Sequence, residues 1–586
     1  MSSPLHYALT IADIHHHLVD VTLTVPAPAG EALELTMPSW SPGSYLLREY
    51  GRHVQRFAAA DADGAPLAAA KISRNTWRVD LGGARQSVTV SYRLFCHDLN
   101  VRANHVEDTH AFLNGPSVFM RVDGRADEPL TVEIRAPFEG WRIHTGLSPV
   151  DGPRTPSGAA RFQAADYDEL VDCPFLLGPF DPIVFEAAGT QHRLVLVGPN
   201  NAPVERLTAD MARTVEATGG FFGGDIPYSD YLTIVLHSDG ARGGLEHRNS
   251  TVLMFPQHGY ANDEGYEDFI TLFSHEHFHV WNVKRIRPDT LGPFDYANEN
   301  YTRALWIMEG FTSYYENILL LRAGLMTPKR FLDLLGKRIG ALQTTPGRAL
   351  HALEEASFDA WIKLYRPDES TPNTTVSYYL KGEIVALALD LTLRHLTKGA
   401  RSLDDLMRDL WARFKATGAG FPEADFQGYV EAIADADLDP FFTSYVRGTD
   451  EIDYDALLTP FGLRLAPAAQ AAPVWLGAQT SNVGDRVVLS SVLTGSPAAL
   501  AGLYAGDELV ALDGFKVDRN TLKPTLDRLS PGQALTAHVF RRGQLRQADL
   551  TLTAPPPSIY TLEDVNDPSP EALQLRGAWL DHPQKP

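Results

Sequence analysis

Residues 275–279 read His-Glu-His-Phe-His, which fits the pattern H-E-x-x-H. On a helix, positions four apart differ by roughly 40° in direction, so His275 and His279 face the same way. Two neutral imidazoles on one face can hold one zinc ion. Glu276, beside the first of them, is placed to take a proton from a water on that ion. His277 points to the other side of the helix and reads as a packing residue. A zinc enzyme needs a third protein ligand and keeps its fourth position for water. Glu309 suits that role: it is the one carboxylate in the apolar stretch Trp306-Ile307-Met308-Glu309-Gly310-Phe311, where an acid is costly unless paired or on a metal. Glu299 and Glu316 are the rival carboxylates, and Glu299 sits in a more polar segment.

These residues need a scaffold, and the chain is long enough for several. Its 586 residues correspond to about three or four domains. Hydrophobic residues make up 44% and charged residues 21%, an ordinary globular balance that excludes disorder as the dominant state. The formal charge is −22, from 51 basic and 73 acidic residues, a surface that repels phosphate backbones and argues against nucleic acid as a partner. Two cysteines, Cys96 and Cys173, allow neither a disulfide framework nor a Cys-rich zinc site; two buried free thiols are the expectation, with a single bridge between them as the other reading. The sequence opens without a basic start and apolar run, and no window of about 18 residues is uninterruptedly apolar, so the expectation is a cytoplasmic protein without a membrane span. A trimmed chain would look the same, which keeps the periplasm open.

Along the chain the texture changes three times. Residues 1–180 alternate apolar and polar in short runs, at Val19–Val25, Glu31–Met37, Ser87–Leu94 and Leu130–Ile134, the pattern of an all-β sandwich. Pro38–Tyr45 reads as an ordered aromatic loop. Residues 181–463 hold two apolar strands, Arg193–Val197 and Tyr231–Leu236, a helix over Ala202–Thr218, and a long helical block from Glu267. There Thr327-Pro328 is an N-cap followed by Pro at the first helical position, and Ser402 with Asp405 resembles a capping box. Residues 464–472, rich in Ala and Pro, read as a linker. Strands return over 473–556, and residues 557–586 read as an extended tail.

The two motifs together resemble the gluzincin zinc peptidases. In the aminopeptidase N type the third zinc ligand is the Glu of a W-L-N-E-G-F-A helix, a place that Glu309 fills here. The 29 residues between His279 and Glu309 exceed that family's gap. The longer gap fits the glycyl aminopeptidase family better, whose members look like a β domain, a thermolysin-like α+β catalytic domain with a helical bundle, and a C-terminal PDZ domain. The resemblance covers nearly the whole chain and implies one Zn²⁺ per chain. Ser377-Tyr378-Tyr379-Leu380-Lys381-Gly382 is similar to the Y-x-K-G motif, which implies that Tyr379 donates a hydrogen bond to the oxyanion. Gly243-Gly244-Leu245-Glu246-His247 is similar to G-x-M-E-N. It implies that Glu246 binds the substrate α-ammonium, while Gly243 and Gly244 admit substrate backbone to an edge strand; His247 departs from the motif's Asn.

Residues Ser496–Gly514 resemble a PDZ domain of the protease-associated type, with Leu476 and Gly477 in its peptide-binding loop. Such domains hold a C-terminal carboxylate on backbone amides, so a C-terminal peptide is the expected ligand, with a structural or homo-oligomerising role as the other reading. The expected function is a zinc aminopeptidase acting on peptides with a free N-terminus and preferring Gly or Ala. An endopeptidase that recruits substrates through the PDZ domain is one alternative, and a non-catalytic PDZ scaffold is the other. In related aminopeptidases the first β domain caps the cleft, a part that Pro38–Tyr45 would play here.

Overall fold

The computed structural model describes residues 4–84, 86–150, 159–468 and 473–581. Alternation in the first 180 residues becomes strand after strand. Leu18–Pro26 buries every second side chain and pairs antiparallel with Ser87–Phe95 along its full length. These strands belong to an eight-stranded sheet, and two four-stranded sheets share one apolar core with it. One short helix, Tyr167–Asp172, interrupts the β domain, capped by the Asp166 side chain. Cys96 and Cys173 are both buried and free, as expected, and burial pushes both thiols well up.

The chain divides into two compact units, residues 1–301 with 411–421 and residues 302–410 with 422–586. In the first unit the β domain is followed by a five-stranded sheet. Of its parallel strands Thr190–Val197, Asp230–His237 and Ser250–Phe255, the last two are buried almost throughout, as strands covered on both faces must be. The helix Val204–Phe221 makes the crossover between the first two. The short strand Gly243–Glu246 closes one edge of this sheet and, among the described residues, pairs with Ser250–Phe255 alone, antiparallel. The loop Pro38–Tyr45 is pinned at its base: Ser39 N donates to Tyr296 O at 2.7 Å and Trp40 Nε1 to Asp295 O at 2.8 Å.

The second unit contains a helical block built on Trp306–Gly310 with Phe311–Arg322, Pro328–Gln343 and Leu380–Leu396. The Thr327 side chain accepts from Arg330 N, so that cap forms as the sequence indicates. The Asp405 carboxylate likewise accepts from Ser402 N at 2.9 Å. Two expectations fail here. Residues 464–467 are not linker: they belong to the strand Leu463–Pro467, which pairs antiparallel with Tyr560–Asp564, while residues 469–472 lie outside the described residues. Nor is the segment after 557 an extended tail. Past that strand it forms the helix Pro570–Leu580, capped by Ser569, whose fully buried Trp579 donates to Tyr314 Oη at 2.9 Å. The physical reason is packing: Gly336 and Gly340, one turn apart, leave room for the backbone of residues 558–560 on their helix.

The PDZ region, with its own core and six-stranded sheet, is therefore inserted between two paired strands. Asn373 clamps it to the helical block, donating to Val492 O at 2.8 Å and accepting from Thr494 N at 2.8 Å. No helix among the described residues is long and apolar enough to cross a membrane.

Candidate metal centre

The helix Asp263–Phe278 carries the H-E-x-x-H residues. Its start is fixed by Asn262, whose side chain accepts from Gly265 N at 2.8 Å, and Asp263 and Glu264 complement the positive end of the helix dipole. At its other end His275 and His279 present Nε2 atoms 3.0 Å apart. His279 Nδ1 lies 2.8 Å from the Asn282 carbonyl. That carbonyl accepts only, so it keeps the proton on Nδ1 and leaves Nε2 with its lone pair toward the site. Two ligands on one tetrahedral zinc stand about 3.3 Å apart, so this pair suits such an ion. His277 turns away, as the helical period requires. It meets Tyr228 Oη at 2.7 Å within an aromatic box that includes Tyr231 and Trp281, and burial holds its pKa well below the ordinary imidazole value.

The edge strand Gly243–Glu246 runs directly over Glu276. A β-carbon on Gly244 would stand 2.0 Å from Glu276 Oε1, so any side chain there would displace the carboxylate. Arg102 Nη2 donates to Gly244 O at 3.1 Å and steadies the strand. Two residues on, Glu246 is buried, and its Oε1 has no hydrogen-bond partner among the described residues. Gly43 lies against that carboxylate with φ +91°, where a β-carbon would stand 2.3 Å from Oε1. One ligand-type atom from each of Glu246, Glu276 and His279 lies within 4.8 Å of the other two. Two carboxylates this close favour a cation between them. His247 does not face this cluster: its Nδ1 sits 3.4 Å from Asp172 Oδ1. Burial opposes ionisation of Asp172, but Lys284 Nζ at 2.6 Å and His247 outweigh it and hold the carboxyl well below its usual range.

In the second unit Glu309 sits in one turn of π-helix, Trp306–Gly310, which runs into the helix Phe311–Arg322. Such turns are rare and frequent at functional sites. Glu309 is only 2% exposed. Gly310 lies against Gly382: a β-carbon on Gly310 would stand 2.5 Å from Gly382 Cα. This close crossing of two helices brings Glu309 beside Tyr379, whose hydroxyl lies 3.1 Å from Tyr365 Oη. Burial of the Tyr379 hydroxyl, the Glu309 carboxylate and Tyr365 all push this phenol well above its ordinary range, so it remains a proton donor at neutral pH. The rivals fare differently. Glu316 is buried 3.8 Å from Arg338, and Glu299 lies partly exposed in an irregular segment.

In the PDZ region Leu476 and Gly477 lie in the irregular segment before the strand Ala478–Val483. Their carbonyls accept from Ala498 N and Leu493 N. That strand is the exposed edge of its sheet and, among the described residues, pairs only with Arg486–Val492.

The structure thus gathers His275, His279, Glu276, Gly243, Gly244 and Glu246 in one unit, and sets Glu309 beside Tyr379 in the other. Sequence reasoning missed Gly43, Arg102, Asn282 and Tyr365, which act through contacts that no local pattern marks.

The chain matches the family models for the peptidase M61 N-terminal domain over residues 6–179, the M61 glycyl aminopeptidase over residues 268–385 and a PDZ domain over residues 474–552. It is similar to an aminopeptidase N family protein from Idiomarina loihiensis, at 33% identity and a TM-score of 0.91, with 98% of this chain and 100% of that one covered. A looser likeness, 15% identity and a TM-score of 0.49 over 77% of this chain and 95% of the other, is to the M1 zinc metallopeptidase from Deinococcus radiodurans. None of the curated proteins searched matches the chain.

Proposed function

Because the chain belongs to the M61 glycyl aminopeptidase family, a family of metallo-aminopeptidases, we propose that it is a zinc aminopeptidase releasing small N-terminal residues. His275, His279 and Glu309 would hold one Zn²⁺, and the family match over residues 268–385 spans all three together with Glu276 and Tyr379. When bound, zinc supplies Lewis acidity to the attacking water and the scissile carbonyl.

One observation carries the exopeptidase reading: Glu246, Glu276 and His279 offer atoms within 4.8 Å of one another. In a peptide the α-nitrogen and the first carbonyl carbon are about 2.5 Å apart. An α-ammonium held by Glu246 therefore leaves only the first peptide bond within reach of Glu276. Glu276 takes the proton of the attacking water and delivers it to the leaving amine. Tyr379 donates a hydrogen bond to the developing oxyanion, and its raised pKa keeps that proton in place. Gly243 and Gly244 let the substrate backbone lie along the edge strand. The approach of Gly43 to Glu246 supports a preference for Gly and Ala, since backbone closes over the amine subsite. The PDZ region, with Leu476 and Gly477 in its loop, would take a C-terminal peptide by adding a strand at the open edge Ala478–Val483.

The test is metal dependence with defined substrates. Dialysis against a chelator should abolish hydrolysis of Gly- and Ala-nitroanilide, and Zn²⁺ should restore it. Full activity in the chelated protein contradicts the proposal.

A further inference from the structure

A second cluster of metal-ligating side chains lies in the β domain. Residues 105–110 read His-Val-Glu-Asp-Thr-His. His105 starts the strand His105–Val106, His110 precedes the strand Ala111–Leu113, and the turn between them is closed by Glu107 N donating to His110 O at 2.9 Å. Both imidazoles are about as buried as a core residue, at 5% exposure each, while Glu107 reaches partly to the surface.

The two rings face the same carboxylate. His105 Nε2 lies 3.2 Å from Glu107 Oε2, and His110 Nδ1 lies 3.3 Å from Glu107 Oε1. A charge-assisted hydrogen bond would be about 2.7–2.9 Å. Separations of about 3.3 Å are those of neighbouring ligands on one tetrahedral zinc ion with 2.0–2.1 Å bonds. Of the two ring nitrogens that face the carboxylate, His105 Nε2 is buried without a well-formed hydrogen bond, and ligand-type atoms of all three residues lie within 4.8 Å of one another. Burial lowers the pKa of both imidazoles, that of His110 to about 4, so both are neutral ligands at pH 7. Thr109 Oγ1, 2.9 Å from His110 Nδ1, is the nearest hydroxyl.

We propose that His105, Glu107 and His110 form a second divalent-metal site of the Zn²⁺ type, with water in the remaining position. Two imidazoles and one carboxylate are the donor set for zinc, and for cobalt or nickel. The ion would lock the 105–113 hairpin, which leads into Asn114. Asn114 Nδ2 donates to Ser41 Oγ at 2.9 Å, in the loop that carries Gly43. This site raises the expected stoichiometry above one zinc per chain.

Metal counting tests it. The chelated full-length protein is titrated with Zn²⁺ by calorimetry, and bound metal is measured by mass spectrometry. Wild type should take two equivalents, and His105→Gln/His110→Gln one. The His275→Ala variant should also take one, lacking the other ion. Binding of a single equivalent that disappears in His275→Ala overturns the proposal, as does retention of two in the double variant. A single equivalent lost in the double variant instead upholds this site and contradicts the zinc centre at His275. Should the double variant not fold, Glu107→Gln leaves both rings and the hairpin in place. It should weaken one of the two equivalents at least ~10-fold, and unchanged affinity overturns the proposal.

Discussion

Gly244 and Glu276 are in backbone-to-carboxylate contact: a β-carbon on Gly244 would stand 2.0 Å from Glu276 Oε1. The edge strand on which a substrate would lie therefore runs over the residue that would handle the proton. Glycine there leaves room for that carboxylate. Gly244→Ala should push the Glu276 carboxylate aside and lower kcat/KM by about 10²-fold, with thermal melting little changed. Activity within twofold of wild type would refute this contact.

Glu276→Gln keeps the size of the side chain and removes its basicity. Hydrolysis should fall by at least ~10³-fold, while zinc content and far-ultraviolet circular dichroism stay as in wild type. Substantial residual activity would remove Glu276 from the proton path.

The H-E-x-x-H helix, the Thr327 cap and the Ser402–Asp405 box were legible because each is a short-range pattern whose partners lie within four residues. The E-G-F and Y-x-K-G segments were legible too, as a resemblance, and the Gly310–Gly382 crossing gives their glycines a physical reason. What escaped was long-range. Gly43 approaches Glu246, and Leu463–Pro467 pairs with Tyr560–Asp564, across separations where composition gives no register. The segment 464–472 looked like a linker because Ala and Pro dominate it. For residues 464–467 the buried Leu463 just before them and the partner strand Tyr560–Asp564 decide otherwise. One local signal went unread: Ser569-Pro570 caps the last helix just as Thr327-Pro328 caps an earlier one.

That last helix is predicted to stabilise the elements bearing Glu309 and Tyr379. Trp579 donates to Tyr314 Oη, Tyr314 donates to Asp390 at 2.8 Å, and Arg394 joins Asp390 to the Ala578 carbonyl. Trp579→Ala removes a fully buried indole and should cost roughly 3–5 kcal/mol, read as a lowered melting temperature. A melting temperature equal to wild type would show the helix to be dispensable.

Lys381 gives a pH signature. It is 4% exposed, and burial pulls its pKa from 10.5 down to about 8. The folded state binds this proton less tightly than the unfolded state. The penalty is thus complete below pH 8 and is relieved as pH rises from 8 toward 10.5. Lys381→Met should therefore gain stability over wild type, on the order of 3 kcal/mol near pH 7, and the gain should shrink by pH 10. A pH-independent difference between the two proteins would contradict a buried, weakly basic Lys381.

Glu246 would measure one residue from the substrate N-terminus. The direct test compares kcat/KM for Ala-nitroanilide and its N-acetylated form, in wild type and in Glu246→Gln. Wild type should cleave only the free amine, and Glu246→Gln should lose most of that activity through a raised KM. Equal cleavage of the acetylated substrate by wild type would contradict the account and make the enzyme an endopeptidase.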